Sequence, residues 1–183
     1  PNFNSFILKK ANLTKSIVAI SVCVLVGALS SLATQSSVTT WFLTLEKPFF
    51  NPPSWVFAPV WTILYIIMGY SFAIIWSLTN QSTKNRELIK KAMVLFGIQL
   101  ALNALWSILF FGLCNPFLAL IEILLLWLLI FETIKAFKKV DVFASKLLIP
   151  YLAWVSFATI LNGSIWFFFS YILSHCIRYN KPA

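Results

Sequence analysis

Long apolar segments separated by short polar ones dominate this chain. Each segment is close to or above the ~18–20 residues with which an α-helix crosses ~30 Å of hydrocarbon. Because backbone groups in lipid must bond within their own segment, the segments are predicted to be helices. The predicted fold is all-α: a single domain, residues 1–183, forming an integral membrane bundle of five transmembrane helices. We call the segments spans one to five: Ser16–Ala33, Trp55–Leu78, Ala92–Cys114, Phe117–Phe137 and Leu147–Leu173.

The composition is that of a membrane protein. Hydrophobic residues make up 60% of the chain and charged residues 10%, against about 25% charged in soluble domains. The net charge of +9 lies between the spans, as in membrane loops, so a nucleic-acid partner is not expected. The three cysteines form no CxxC motif and His175 is the single histidine. No disulfide framework, metal site or cofactor is therefore predicted.

The basic residues predict the orientation. Eleven would lie on one side of the membrane and three on the other, which favours a cytoplasmic N-terminus and an outside C-terminus. An alternative is that the basic start and the small residues Ser31-Leu32-Ala33 form a cleavable signal peptide, which would leave four spans. The predicted cytoplasmic residues are Lys9, Lys10, Lys15, Lys84, Arg86, Lys90, Lys91, Lys135, Lys138, Lys139 and Lys146, and the outside ones are Lys47, Arg178 and Lys181.

Three spans carry an aromatic stripe with polar residues embedded in it. Residues spaced by three, four, seven or eleven positions share one face of a helix. If these faces point inward, they line a cavity for a flat hydrophobic ligand with a few polar edges. The stripes are Trp61, Tyr65, Met68, Phe72 and Trp76 in span two, Gln99, Asn103, Trp106 and Phe110 in span three, and Tyr151, Trp154, Ala158 and Asn162 in span five.

The embedded amides have a second interpretation. Gln99 and Asn103 can serve only as hydrogen bonds between helices, which contribute ~0.6 kcal/mol each on average. From the residues alone, both interpretations remain open for this pair. For the tryptophans at mid-span depth, a pocket is the favoured interpretation.

Glu122 is an unusual residue for its place in span four. A carboxylate at the centre of a membrane helix costs ~2.5–3.5 kcal/mol. It is expected to face inward, either uncharged or beside a donor such as Asn103, Trp106 or Tyr65. Its shallow position also allows it simply to reach the membrane interface.

Two further features bear on assembly and on the first connection. Gly97, Ala101 and Ala104 form a small-residue pattern on span three, which predicts either a homodimer or close packing within one chain. The connection Thr34–Ser54 is rich in proline and aromatic residues. It is expected to fold over the outer end of the bundle, or to form only an aromatic belt.

Four sequence blocks resemble the tryptophan-rich sensory protein / translocator protein family (TspO/MBR, peripheral benzodiazepine receptor). The resemblance runs from about Trp41 to Trp166. The blocks are Leu45-Glu46-Lys47-Pro48-Phe49-Phe50-Asn51-Pro52-Pro53, Pro59-Val60-Trp61-Thr62-Ile63-Leu64-Tyr65, Gln99-Leu100-Ala101-Leu102-Asn103 and Pro150-Tyr151-Leu152-Ala153-Trp154.

The resemblance implies a function. Members bind porphyrins, including protoporphyrin IX and haem, and in animals cholesterol and benzodiazepines, in a five-helix bundle that is often a homodimer, with a pocket opening towards the first loop. A receptor or transport role is therefore expected here. The pocket positions it implies are Trp41, Pro52, Trp61, Trp106, Trp154, Ala158 and Leu161, to which the stripes and span four add Tyr65, Gln99, Asn103 and Glu122.

Two alternatives stand beside this expectation. Some bacterial members are reported to degrade protoporphyrin under light with two tryptophans that match Trp61 and Trp154. No nucleophile–base pair or cofactor motif supports ordinary catalysis, so an enzyme is not the expectation. The other alternative is a structural membrane protein with no ligand.

Departures from the family pattern bear on the host membrane. Phe50 stands where the family usually has Trp, and Glu122 where it often has Asp. Gly163 and Phe167 occupy positions at which the animal proteins carry a Tyr and an Arg proposed to bind cholesterol. Sterol binding is therefore doubtful, and a bacterial plasma membrane is favoured over the mitochondrial outer membrane.

Overall fold

The computed structural model of the chain describes residues 11–80 and 85–179. The described part is α-helical and holds no strand, so the all-α prediction is confirmed. Five helical segments are long and apolar enough to cross a membrane, with mean hydropathy from 1.5 to 2.4. The helices are α1 (Leu13–Thr39), α2 (Trp41–Thr44), α3 (Ser54–Ser77), α4 (Arg86–Ser107), α5 (Pro116–Val140), α6 (Val142–Leu147) and α7 (Ile149–Tyr179).

The long helices extend beyond the apolar spans. Helix α1 continues past Ala33 to Thr39, and α4 begins at Arg86 among basic residues. Hydropathy marks the part of a helix that lies in hydrocarbon, whereas the backbone ladder continues into the polar zone. A π-helical turn, Ile108–Gly112, ends α4. Of the basic residues counted above, Lys9, Lys10, Lys84 and Lys181 lie outside the described residues.

Polar side chains define where several helices begin. Asn12, Asn115 and Asp141 accept hydrogen bonds from backbone N–H groups in the first turns of α1, α5 and α6, groups that lack partners within the helix. The Lys15 ammonium donates to the Trp76 carbonyl oxygen at 2.9 Å and lies 5.3 Å from the centroid of that ring. This contact ties the start of α1 to the end of α3.

Two glycines bring α1 and α3 into close contact. A Cβ added at Gly69 would lie 2.5 Å from the Cα of Ile20, and one at Gly27 would overlap the ring of Tyr65. Small residues allow helix backbones to approach in membranes, where no hydrophobic force drives association. The absence of a side chain at these two glycines therefore lets α1 lie directly against one side of α3.

The first connection covers one end of the bundle. Phe42 of α2 is buried and lies 5.5 Å from the ring centroid of Phe111. Phe50 packs against Phe157 of α7, with 6.4 Å between centroids. We call this end, with residues 40–53 and 113–115, the loop end, and the opposite end, which carries Arg86 and Lys138–Lys146, the basic end.

The predicted orientation can be tested by cysteine labelling. In a background with all three native cysteines replaced by serine, we expect Glu46→Cys at the loop end to react with a membrane-impermeant maleimide in intact cells. Lys139→Cys at the basic end should react only after permeabilisation, because the basic end is predicted to face the cytoplasm. Both side chains are exposed. The reverse labelling pattern would mean that the charge asymmetry misassigns the sides.

Candidate ligand-binding cavity

A cavity of about 420 Å³ lies in the loop-end half of the bundle, a size within the usual range for small-molecule sites. Its wall comes from α1, α3, α4 with its π-helical turn, and α7, and Phe42 of α2 joins it at the loop end. None of the lining residues in the described chain is charged. Its aromatic lining consists of Phe42, Phe57, Trp61, Tyr65, Trp106, Phe110, Phe111 and Trp154.

The structure brings six of the eleven predicted site residues to this cavity. Those that line it are Trp61, Tyr65, Trp106, Trp154, Ala158 and Leu161. Those that do not are Trp41, Pro52, Gln99, Asn103 and Glu122. The aromatic faces of three helices therefore converge as the stripes predicted, and ligand binding by these residues remains a prediction.

A chain of hydrogen bonds begins at Tyr65 of the cavity wall and continues into the buried interior beyond it, and we call it the polar layer. The Tyr65 hydroxyl donates to Asn103 Oδ1, and Asn103 Nδ2 donates to the Tyr151 hydroxyl at 3.1 Å. Tyr151 in turn donates to Gln99 Oε1 at 2.9 Å. All four side chains are buried. The layer joins α3, α4 and α7, so for Gln99 and Asn103 the structure supports the interpretation as helix-to-helix bonds.

Trp106 is held by a second set of polar contacts. Its Nε1–H donates to Asn162 Oδ1 at 3.1 Å, and Asn162 Nδ2 donates to the Pro116 carbonyl oxygen at 2.8 Å. The indole also stacks on Phe110, with 5.3 Å between centroids. These contacts fix the plane of one indole at the cavity wall and join α4 to α7 and the start of α5.

The other two indoles differ in their polar contacts. Trp61 packs against the rings of Tyr65 at 5.6 Å and Tyr151 at 6.3 Å. Trp154 lies 6.0 Å from Phe57, and its buried Nε1–H has no hydrogen-bond partner among the described residues. A buried donor without a partner is costly. Trp154 therefore contributes ring surface to the cavity wall, while its N–H lies in the buried part of the side chain.

Glu122 lies outside the cavity, buried in the bundle with 7% of its surface exposed. Neither of its carboxyl oxygens has a hydrogen-bond donor within the described parts of the chain. The donors considered for it bond elsewhere: Tyr65 to Asn103, Asn103 to Tyr151, and Trp106 to Asn162. Of the two alternatives for Glu122, pairing with one of these donors is therefore not the one that the structure shows, and its side chain does point inward.

Several lining residues were absent from the sequence prediction. Phe57 lies one turn before Trp61 and extends the stripe of α3, so its spacing could have revealed it. Phe42 follows from no periodicity because α2 is a single turn. Helix α1 contributes a wall of small and aliphatic residues, among them Val24, Gly27 and Ala28, which no aromatic pattern marks.

One side of the cavity is open. Ala28 and Ser31 of α1 and Ser54, Ala58 and Thr62 of α3 line it, and all five are exposed. Small, exposed side chains of two helices therefore border the cavity on this side. The cavity thus has aromatic walls on α3, α4 and α7, and its open side is bordered by small residues of α1 and of the loop-end half of α3.

Fold and cavity together define the class: an integral membrane protein of five spanning helices with an aromatic-lined cavity. The model of the TspO/MBR family matches residues 19–167. The chain is 45% identical over 146 residues to the tryptophan-rich protein TspO of Chlorobaculum tepidum, covering 80% of this chain and 90% of that protein. It is 41% identical over 155 residues to the protein of the same name from Archaeoglobus fulgidus, covering 85% and 97%.

A mammalian relative shows the same relationship. The human translocator protein is 40% identical over 129 residues, which cover 69% of this chain and 73% of that protein. The chain belongs to the TspO/MBR family, and the resemblance seen in the sequence is confirmed.

The polar layer gives a stability prediction. Tyr151→Phe removes the donor to Gln99 and the acceptor for Asn103, so two buried amides lose a partner. We expect a loss of about 1–2 kcal/mol in unfolding free energy, measured as a lower thermal unfolding temperature in detergent. Tyr70→Phe, which removes a hydroxyl from a half-buried tyrosine of α3 outside the polar layer, is the control. Equal shifts in the two variants would show that the layer adds no stability.

Proposed function

We propose that this protein binds porphyrins, such as protoporphyrin IX or haem, and related flat hydrophobic ligands in the cavity. It would do so as a receptor or transport-type protein. A bacterial plasma membrane is the proposed location, since Gly163 and Phe167 replace the sterol-associated residues of animal members.

The observation that carries the proposal is the convergence of three indoles on one uncharged cavity. Trp61, Trp106 and Trp154 come from three different helices and line the same space. Aromatic rings bury large areas and stack with flat conjugated ligands. The few polar side chains of the lining, such as Thr62 and Ser107, would supply orientation, as expected of small-molecule sites.

The shape of the cavity also suits a macrocycle. The open side between α1 and α3 allows part of a ligand larger than the enclosed volume to remain outside it. The names of the relatives, translocator protein and tryptophan-rich sensory protein, agree with a role in moving or sensing a ligand.

The direct test is a titration of the purified protein with protoporphyrin IX in the dark, followed by the shift of the porphyrin absorption band. The double variant Trp61→Phe, Trp154→Phe removes two indoles from the wall. We expect its affinity to fall by about thirtyfold, about 2 kcal/mol in binding free energy, since each indole contributes about 1 kcal/mol.

Trp166→Phe is the matched control for this titration. Trp166 packs on Phe117 and does not line the cavity, so its loss should leave the affinity unchanged. If the double variant binds as tightly as the wild type, the ligand does not occupy this cavity. If no porphyrin binds and none raises the unfolding temperature, the structural alternative gains support.

Light-dependent degradation is the second candidate, and one observation favours it. Trp61 and Trp154, the two tryptophans that the family resemblance connects with this activity, line one cavity and can contact the same ligand. The test is illumination of the porphyrin complex in air while the absorption spectrum is recorded. A new absorbing product that the double variant fails to form would support an enzyme, and equal turnover in both proteins would exclude this role for the indoles.

A homodimer through α4 is also proposed. Gly97 and Ala101 are exposed, and a Cβ added at Gly97 would meet nothing within 4 Å. These two small residues therefore do not serve close packing within the chain, one of the two alternatives for this pattern. They leave a flat strip on the lipid-facing side, which suits the close approach of a second copy.

Larger side chains at Gly97 and Ala101 test whether the dimer forms through this face of α4. Gly97→Leu with Ala101→Leu should shift the purified protein from dimer to monomer in light scattering, because the backbones can no longer approach. Ala153→Leu places similar bulk on the exposed face of α7 and should leave the dimer intact. A dimer that persists in the double variant would place the interface elsewhere.

A further inference from the structure

Few charged side chains lie near the cavity. The first connection carries Glu46 and Lys47, and the turn at residues 113–115 carries none. Glu46 is exposed, whereas Lys47 is half-buried. Within the described residues of the loop end, Lys47 is therefore the positively charged side chain that packs against the rest of the protein.

The position of the Lys47 ammonium is set by two contacts. Its Nζ donates to the Leu45 carbonyl oxygen at 3.1 Å and lies 4.7 Å from the ring centroid of Phe42. An ammonium group prefers the face of an aromatic ring, and the contact restrains its long side chain. Phe42 also lines the cavity, so a single aromatic ring connects the ammonium to the cavity wall.

This ammonium still has donors to offer. A lysine ammonium has three N–H donors, and the Leu45 carbonyl accepts one of them. None of the described carboxylates forms an ion pair with it. A restrained cation with spare donors suits an anionic acceptor, because a charge-assisted hydrogen bond is stronger than a neutral one.

The interior of the cavity, unlike the site of Lys47, carries no charge on its described lining residues. An anionic group would therefore lose its hydration there without a counter-charge. A ligand that combines a flat apolar body with an acidic edge can avoid this cost by placing the acid at Lys47. This distribution of charge would favour a ligand orientation in which the acidic edge lies at the loop end.

We propose that Lys47 binds a carboxylate of the ligand that occupies the cavity, and so selects acidic amphipathic ligands over neutral ones of the same shape. This inference rests on the proposed function, since it assumes a flat ligand between the indoles. For a porphyrin, the carboxylates are the propionates at one edge of the macrocycle.

The test compares protoporphyrin IX with its dimethyl ester, which keeps the ring and removes both negative charges. Each is titrated into the wild type, Lys47→Gln and Lys47→Arg in the same detergent, and the ratio of the two affinities is compared between proteins so that partition into micelles cancels. We expect Lys47→Gln to lower the acid-to-ester ratio about tenfold relative to the wild type. Lys47→Arg should keep the wild-type ratio.

Two controls separate charge at this position from other effects. Lys146→Gln removes an exposed cation at the basic end and should leave the ratio unchanged. Added salt should weaken binding of the acid to the wild type more than to Lys47→Gln, because screening acts on the ion pair. Unchanged ester affinity in Lys47→Gln would show that the cavity itself is intact.

The outcomes distinguish this inference from the function on which it rests. If both porphyrins bind and Lys47→Gln leaves their ratio unchanged, the cavity is a porphyrin site and the role of Lys47 is overturned. If Lys47→Gln weakens acid and ester equally, Lys47 supports the fold of the loop rather than the ligand's acid. If neither porphyrin binds the wild type, the proposed function fails and this inference fails with it.

Discussion

Inside a bilayer, an apolar helix face gains nothing by leaving lipid, so this bundle depends on buried polar bonds and on close backbone approach. The polar layer supplies the first of these. It links Tyr65 on α3, Asn103 and Gln99 on α4, and Tyr151 on α7. These are the three helices whose aromatic faces form the cavity, so the bonds that hold them together also determine where their rings lie.

Along each of these helices, residues of one stripe have different roles at different depths in the bundle. On α4, Gln99 and Asn103 belong to the polar layer, while Trp106 lines the cavity one turn nearer the loop end. On α7, Tyr151 belongs to the layer and Trp154 to the wall. One stripe thus joins helices where it lies farther from the loop end, and it lines the cavity where it lies nearer the loop end.

Periodicity predicted this cavity in part because it reports which residues share a face. It identified three spans whose rings converge, and Trp61, Trp106 and Trp154 do meet. Periodicity carries no information about contacts between distant segments. The single-turn helix that places Phe42 at the cavity depends on how the first connection folds, so it was not predicted.

Glu122 shows a related limit for polar residues. Its inward placement followed from the cost of a carboxylate in lipid, and the structure buries it. The choice of donor did not follow, because each of the three candidate donors already has a partner on another helix, as with Trp106 and Asn162. Which donor bonds to which acceptor depends on how the helices pack in three dimensions. The order of residues along one helix does not contain that information.

The remaining wall, α1, differs from the others in how it is fixed. Near the basic end it is anchored to α3 by the backbone N–H of Asn12, which donates to Ser77 Oγ at 3.0 Å, and by Lys15 on the Trp76 carbonyl. Both anchors lie at the end opposite the cavity, and at the depth of the cavity α1 contacts α3 through Gly27 on the Tyr65 ring. The α1 and α3 residues that border the open side of the cavity include small ones, such as Ala28 and Ala58, which have little side-chain bulk. Helix α1 is thus held to α3 by anchors at one end and by contacts at small residues, whereas Trp106 and Trp154 stand on helices tied together by the polar layer.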